Sequence, residues 1–350
     1  MPELATMSDA QQRRALIDEL AAFNTRVGQP DDPPLFTREP VSEMVPVHWR
    51  AADLARLLDR IGSDLKLEAG GIRRTLRLTN PGLGYGTTPS LFASIQVILP
   101  GEVATAHRHT ASALRFIMRG SGANTIVDGE QYDMSEGDLV LTPSMTWHDH
   151  EHLGDAPMIW LDVLDISLVR RLEAVFFEGS DVPRRAVSAH PTWSYGSYGG
   201  GWMQPRRRLV EGRADAGLLA YPRAQAEASL RAAAERLPAD PADDVVMDYV
   251  NPATGGPALP TVGTTLQMIR AGVSCRAQRH TGSSVFYVVR GAGLTTVGDQ
   301  RFDWGTGDLF AVPAWSTHRH ENPHAEDALL FQVSDVPALK ALGLYFEEII

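Results

Sequence analysis

The strongest constraint on this chain is a run of alternating, β-prone residues that occurs twice. Gly101–Gly122 reads G-E-V-A-T-A-H-R-H-T-A-S-A-L-R-F-I-M-R-G-S-G. The string G-V-S-C-R-A-Q-R-H-T-G-S-S-V-F-Y-V-V-R-G-A-G lies on it without a gap at an offset of 171 residues, 278 against 107. Further on, E-G-D-L-V-L-T-P-S-M-T-W-H-D-H corresponds to T-G-D-L-F-A-V-P-A-W-S-T-H-R-H at an offset of 170, 318 against 148, with one residue lost in between. Alternation broken by Gly-Asp and Asp-Gly turns predicts antiparallel strands, and the duplication predicts two similar domains in a mainly β chain.

In the first copy, His107 and His109 stand two apart, so on a strand they share a face. A later strand starting near Leu139 can bring His148 to the same cavity. Three neutral imidazoles converging there suit a divalent first-row metal. Satisfied core histidines are the competing reading, but each buried polar group then needs a partner. The second copy keeps His280 and His318 and has Gln278 in place of the first histidine, with Phe286 at the position of Arg115. Two histidines and a glutamine make a poor first-row site, so the second copy reads as structural, metal-free or weakly occupied.

This spacing resembles the two motifs of the cupin superfamily, small jelly-roll β-barrels. Cupins usually carry a glutamate ligand about four residues after the second histidine; here Ala113 stands in the first copy and Ser284 in the second. Loss of that carboxylate leaves three protein ligands and more open positions for substrate and dioxygen. The fold expected is a bicupin with N-terminal helices and an arm (1–70), a first barrel (71–166), a helical linker (167–245), and a second barrel with a C-terminal segment (246–350).

The 350 residues are enough for two or three domains, and 43% hydrophobic content supplies their cores. A net charge of −11 argues against a general nucleic-acid or anionic-membrane surface. No run of about 20 apolar residues predicts a membrane span, and the polar, acidic N-terminus lacks a signal-peptide core. Cys275 is the single cysteine, so no disulfide forms within the chain, which fits the cytoplasm.

Ser8–Phe23 and Ala51–Leu65 have helical periodicity, with an extended Pro- and Asp-rich arm over Asn24–Pro46. Gly71–Leu78 predicts a strand on which Arg73 and Arg77 share one face and Arg74 the other. The arginine pair can hold an anion, or the strand is a solvated edge. On the strand Leu91–Leu99, Phe92, Ser94, Gln96 and Ile98 share a face. Asp162, a carboxylate in the apolar strand Met158–Ile166, is costly to bury alone and is expected to pair with His150 or an arginine. Helices are expected over Ser167–Phe177 and Ala224–Leu237, and in the C-terminal segment Leu339–Ile350. Glu178–Arg208 reads as an irregular, aromatic and glycine-rich junction loop; stacking on bases is the alternative.

Two barrels, with a three-histidine set and no glutamate in the first, resemble the gentisate 1,2-dioxygenase family, which includes salicylate and 1-hydroxy-2-naphthoate ring-cleaving enzymes. The strings carrying it include I-R-R-T-L-R-L-T-N-P-G-L, V-I-L-P-G-E-V-A-T-A-H-R-H-T-A-S-A-L-R-F, I-W-L-D-V-L-D-I and Y-V-N-P-A-T-G-G-P-A-L-P-T, spread over both barrels. The resemblance implies Fe(II) on His107, His109 and His148 with dioxygen as co-substrate. It implies opening of an ortho-hydroxy aromatic acid between the carboxyl- and hydroxyl-bearing carbons. Gentisate is the first expectation; salicylate, a 5-substituted salicylate and 1-hydroxy-2-naphthoate are alternatives. Gln96, Arg115, His150 and Asp162 would line the site, with Arg73 and Arg77, and with Arg74 as an alternative to them. Phe92 departs from the Trp or Tyr common in the family. The residues allow Arg115 to neutralise a carboxylate or to serve as a structural ion pair. They allow His150 to act as acid or base or as a partner of the ligands only. The resemblance also implies a homo-oligomer, commonly a tetramer. A non-catalytic bicupin binding protein is the reading from another class.

Overall fold

The computed structural model describes residues 8–28, 32–64, 74–188, 192–201 and 217–350. It divides into two units, residues 1–40 and 41–350. In the first, the helix Asp9–Ala22 is closed by a capping box: Gln11 N–H donates to the Ser8 hydroxyl and Ser8 N–H donates to Gln11 Oε1.

The second unit holds two antiparallel barrels of jelly-roll type. In the first barrel a six-stranded sheet runs in the order Ala220–Tyr221, Leu139–Thr142, Ala113–Arg119, Met158–Leu164, Phe92–Ile98, Arg74–Leu78. The facing sheet runs Phe177–Gly179, Val103–His109, His148–His152, Ser121–Val127, Glu130–Ser135. The second barrel repeats this order, with Val47–Trp49, Leu309–Val312, Ser284–Arg290, Ala328–Ser334, Gly263–Ile269 and Val245–Asp248 in its larger sheet. Its facing sheet runs Gln300–Gly305, Ala292–Val297, His318–Glu321, Gln278–His280, Glu347–Ile349.

The two six-stranded sheets share one apolar core. It contains Ile95, Phe116 and Leu161 from the first barrel and Leu266, Tyr287 and Phe331 from the second, with the Phe116 and Phe331 rings stacked at 4.1 Å. This explains why Phe92–Ile98 is buried along nearly its whole length. One face enters the inter-barrel core, which leaves the other, with Ser94 and Gln96, for the barrel interior.

The barrels interlock. Val47–Trp49 precedes the first barrel in sequence but pairs with Leu309–Val312 of the second. Ala220–Tyr221 precedes the second barrel but pairs with Leu139–Thr142 of the first. Each of these strands leads directly into a helix, Ala51–Asp64 or Arg223–Arg236. Each helix start donates to an aspartate of the other barrel: Ala51 N–H to Asp308 Oδ1 at 2.6 Å, and Arg223 N–H to Asp138 Oδ1 at 2.9 Å. These are the aspartates of the duplicated Gly-Asp. A second reciprocal pair also joins the barrels: the Thr261 hydroxyl donates to Asp165, and the Ser90 hydroxyl to Asp335.

Two helices are shorter than their periodicity predicts. Over Ser167–Phe177 the helix is Ile166–Arg171, followed by the strand Phe177–Gly179. The C-terminal segment is a helix Val336–Ala341 and then a strand Glu347–Ile349, not one helix. Both helices end where the backbone turns left-handed, at Glu173 (φ 56°) and Gly343 (φ 72°). The repeat therefore runs to the last strand of each barrel. Glu178–Arg208 also contains a short helix, Trp193–Tyr198, and its residues 202–208 lie outside the described ones.

Candidate metal centre and active site

His107 and His109 come from one strand, and His148 opposes His107 in the next. Each Nδ1 is held by a backbone carbonyl: His107 on Thr105 at 2.8 Å, His109 on Ala111 at 2.7 Å, His148 on Thr146 at 3.0 Å. That contact places the proton on Nδ1 and leaves an Nε2 lone pair on each ring. The three rings meet with centroid separations of 4.2, 4.9 and 5.5 Å, and their donor atoms lie within 4.8 Å of one another. His148 Nε2 is buried with no hydrogen-bond partner among the described residues. Burial, then the neighbouring His107 and Arg115 charges, hold its pKa well below the ordinary value, so the ring is a neutral donor at pH 7. No carboxylate joins this cluster among the described residues, and Ala113 is buried at the position where a glutamate would project. The donor set fits a first-row divalent metal held on one face.

Beside the triad, Arg115 and Asp162 oppose each other on adjacent strands. The Arg115 Nε lies 3.1 Å from Asp162 Oδ1, and its Nη1 donates to the Thr142 hydroxyl at 2.7 Å. Asp162 also accepts from Trp160 Nε1 at 2.9 Å. The carboxylate thus finds an arginine, one of the two partners expected for it. Burial lowers the Arg115 pKa and the Asp162 charge counters that shift. Gln96 shares this interior face and its Oε1 has no partner among the described residues. His150 is fully buried, with its ring 6.0 Å from that of His148 and 5.8 Å from that of Trp160.

Arg77 opposes Ser94 in the strand register, so it shares the face of Gln96 and Phe92. Its guanidinium lies 5.7 Å from the Phe92 ring centre. Arg74 opposes Val97, on the other face, and forms a buried ion pair with Glu102. Arg73 lies outside the described residues.

The cupin-domain family profile matches residues 94–164 and 265–334, one in each barrel. A 5-aminosalicylate 1,2-dioxygenase from Comamonas sp. is 38% identical over 89% of this chain and 83% of its own. A gentisate 1,2-dioxygenase from Aquipseudomonas alcaligenes is 35% identical over 96% of this chain and 98% of its own. The crystal structure of a salicylate 1,2-dioxygenase from Pseudoaminobacter salicylatoxidans, a tryptophan-to-tyrosine variant in complex with gentisate, superposes with a TM-score of 0.88. That structure is 31% identical, over 100% of this chain and 98% of its own.

The chain belongs to the gentisate 1,2-dioxygenase family of ring-cleaving dioxygenases. Within this gentisate dioxygenase fold, three residues at the rim escaped the sequence reading. Tyr85 stacks on Phe92 at 5.6 Å, and the Arg170 guanidinium lies 4.4 Å from the Tyr85 ring centre. Phe177 stacks on His107 at 5.5 Å from the strand that pairs with Val103–His109, while remaining 66% exposed. Only the Phe and Glu that F-F-E-G shares with F-E-E-I in the second copy, at an offset of 170 (346 against 176), signalled that strand. His152 donates from Nε2 to the Ala156 carbonyl at 2.6 Å and stands apart from the triad.

Proposed function

We propose that this protein is an Fe(II)-dependent dioxygenase that opens an ortho-hydroxy aromatic acid between the carboxyl- and hydroxyl-bearing carbons, with gentisate, opened to maleylpyruvate, as the leading substrate. The observation that carries it is a three-imidazole donor set with no carboxylate among the described residues, set beside a buried arginine. Bound iron supplies the open coordination positions and the redox chemistry that dioxygen requires.

Arg115 recognises the acid. With Nε on Asp162 and Nη1 on Thr142, its Nη2 remains for the substrate carboxylate, in surroundings that strengthen a charge-assisted bond. Asp162 acts by holding that guanidinium in place. Gln96 accepts from a substrate hydroxyl. His150 takes the proton the ring hydroxyl loses; serving only to pack the His148 ring is the alternative. Arg77 and Phe92 close the rim over the ring, and Arg73 is the second arginine assigned to the substrate. Holding the acid in one orientation supplies a large part of the acceleration.

We place the protein in the cytoplasm as a homo-oligomer, a tetramer by family resemblance. Among the described residues no helix is long and apolar enough to cross a membrane, and the exposed Phe176, Phe177, Phe346 and Ile350 are apolar surface that copies of the chain can cover. Light scattering tests the tetramer.

Oxygen uptake by the Fe(II)-loaded protein, measured with gentisate, salicylate, 5-aminosalicylate and 1-hydroxy-2-naphthoate, tests the function. Uptake with at least one, and a rate ranking among them, is the expected result. Binding of these acids without uptake by any of them would identify a binding protein instead.

A further inference from the structure

The second barrel has a cavity of about 750 Å³, the size of a small-molecule site rather than of an ion. Strand registers place its walls in correspondence with the first barrel's site. Asp248 opposes Thr265 as Arg77 opposes Ser94. Phe286 opposes Gln332 as Arg115 opposes Asp162. Gln278 opposes His318 as His107 opposes His148. Where the first barrel has two guanidiniums, the second has a carboxylate and an aromatic ring.

Other groups strengthen this inversion. Asp243 lines the cavity and accepts from Gln278 Nε2 at 2.8 Å. Burial raises its pKa to about 6, so its ionised form is held at a cost that an adjacent cation offsets. His280 and His318 are only 8% and 3% exposed and both line the cavity. The His280 Nδ1 is buried with no hydrogen-bond partner among the described residues, and His318 is oriented by its Nδ1 on the Ser316 carbonyl at 3.0 Å. Burial lowers both pKa values to about 4, so these rings are neutral acceptors. Among the described lining residues Lys340 is the one permanent cation; it lies over the Tyr345 ring, whose hydroxyl donates to Glu347.

We propose that the second barrel binds a small organic cation, a primary amine whose ammonium group sits among Asp243, Asp248 and the His280 and His318 imidazoles while its apolar body lies against Phe286. The acceptors there outnumber the donors, and an ammonium supplies three donors and a positive charge. The site is opposite in charge preference to the carboxylate-binding first barrel.

Titration calorimetry on the whole Fe(II)-loaded protein tests this with benzylamine, benzyl alcohol and benzoate as probes. One benzylamine should bind per chain, about tenfold or more tighter than benzyl alcohol. Asp243→Asn and Asp248→Asn should each weaken it by about tenfold at unchanged unfolding temperature and oxygen uptake. His107→Ala should leave benzylamine affinity intact, which separates this site from the first barrel. Equal affinity for amine and alcohol, unchanged affinity in both aspartate variants, or loss of binding in His107→Ala would each overturn the proposal. None of these results bears on the ring-opening reading.

Discussion

Arg115 Nε and Asp162 Oδ1 lie 3.1 Å apart on neighbouring strands, with both side chains more than nine-tenths buried. Removing one partner leaves the other charge buried alone. Asp162→Ala is expected to cost about 3–5 kcal/mol of stability and most of the activity. Asp162→Asn keeps the shape but loses the charge that anchors the guanidinium. It should raise KM for the hydroxy acid while iron content stays at the wild-type level. Urea unfolding, metal analysis and steady-state kinetics check this; unchanged KM in Asp162→Asn would remove Arg115 from carboxylate binding.

Arg77 has no ion pair among the described residues and lies beside Phe92 at the rim. Arg77→Met should therefore raise KM by about tenfold, with little change in kcat, because a rim charge contributes to capture more than to the chemical step. Steady-state kinetics in low and high salt would show the difference narrowing as salt rises.

His280, His318 and His320 are held neutral, with pKa values lowered by burial to about 4, 4 and 3 from an ordinary 6.5. The unfolded chain takes up protons at these positions first as the pH falls. Their contribution to stability is thus complete above pH 6.5 and is lost as pH falls towards 4 and 3, by about 2 kcal/mol for each ring at pH 5. Urea midpoints at pH 7.5 and 5 measure it. His320→Phe should reduce the loss between pH 7.5 and 5 by about 2 kcal/mol; an identical slope would contradict the assignment.

Asp138 and Asp308 each cap the helix of the other repeat. Asp138→Ala or Asp308→Ala should cost about 1–2 kcal/mol, with unfolding remaining one transition because the shared apolar core and the exchanged strands still join the barrels. Two separate transitions in either variant would show barrels that unfold independently.

What the sequence disclosed, and what it hid, follows from how local each cause is. His107 and His109 were legible because a strand repeats its faces every two residues. The Asp162 pairing was legible because a buried carboxylate has few ways to be stable. Val47–Trp49 and Phe177–Gly179 were hidden because three residues carry no periodicity and their partners lie in distant strands. Gly343 marks the end of its helix, whereas Glu173 takes the same left-handed turn without a glycine to announce it. Tyr85 sits in a loop, and only the fold brings it onto Phe92.

The most direct test of the central claim is an anomalous difference map at the iron edge, from crystals grown anaerobically with Fe(II). It should show one strong peak per chain, ligated by the Nε2 atoms of His107, His109 and His148 with no protein carboxylate in contact. No peak between those rings, or a stronger one between His280 and His318, would contradict it.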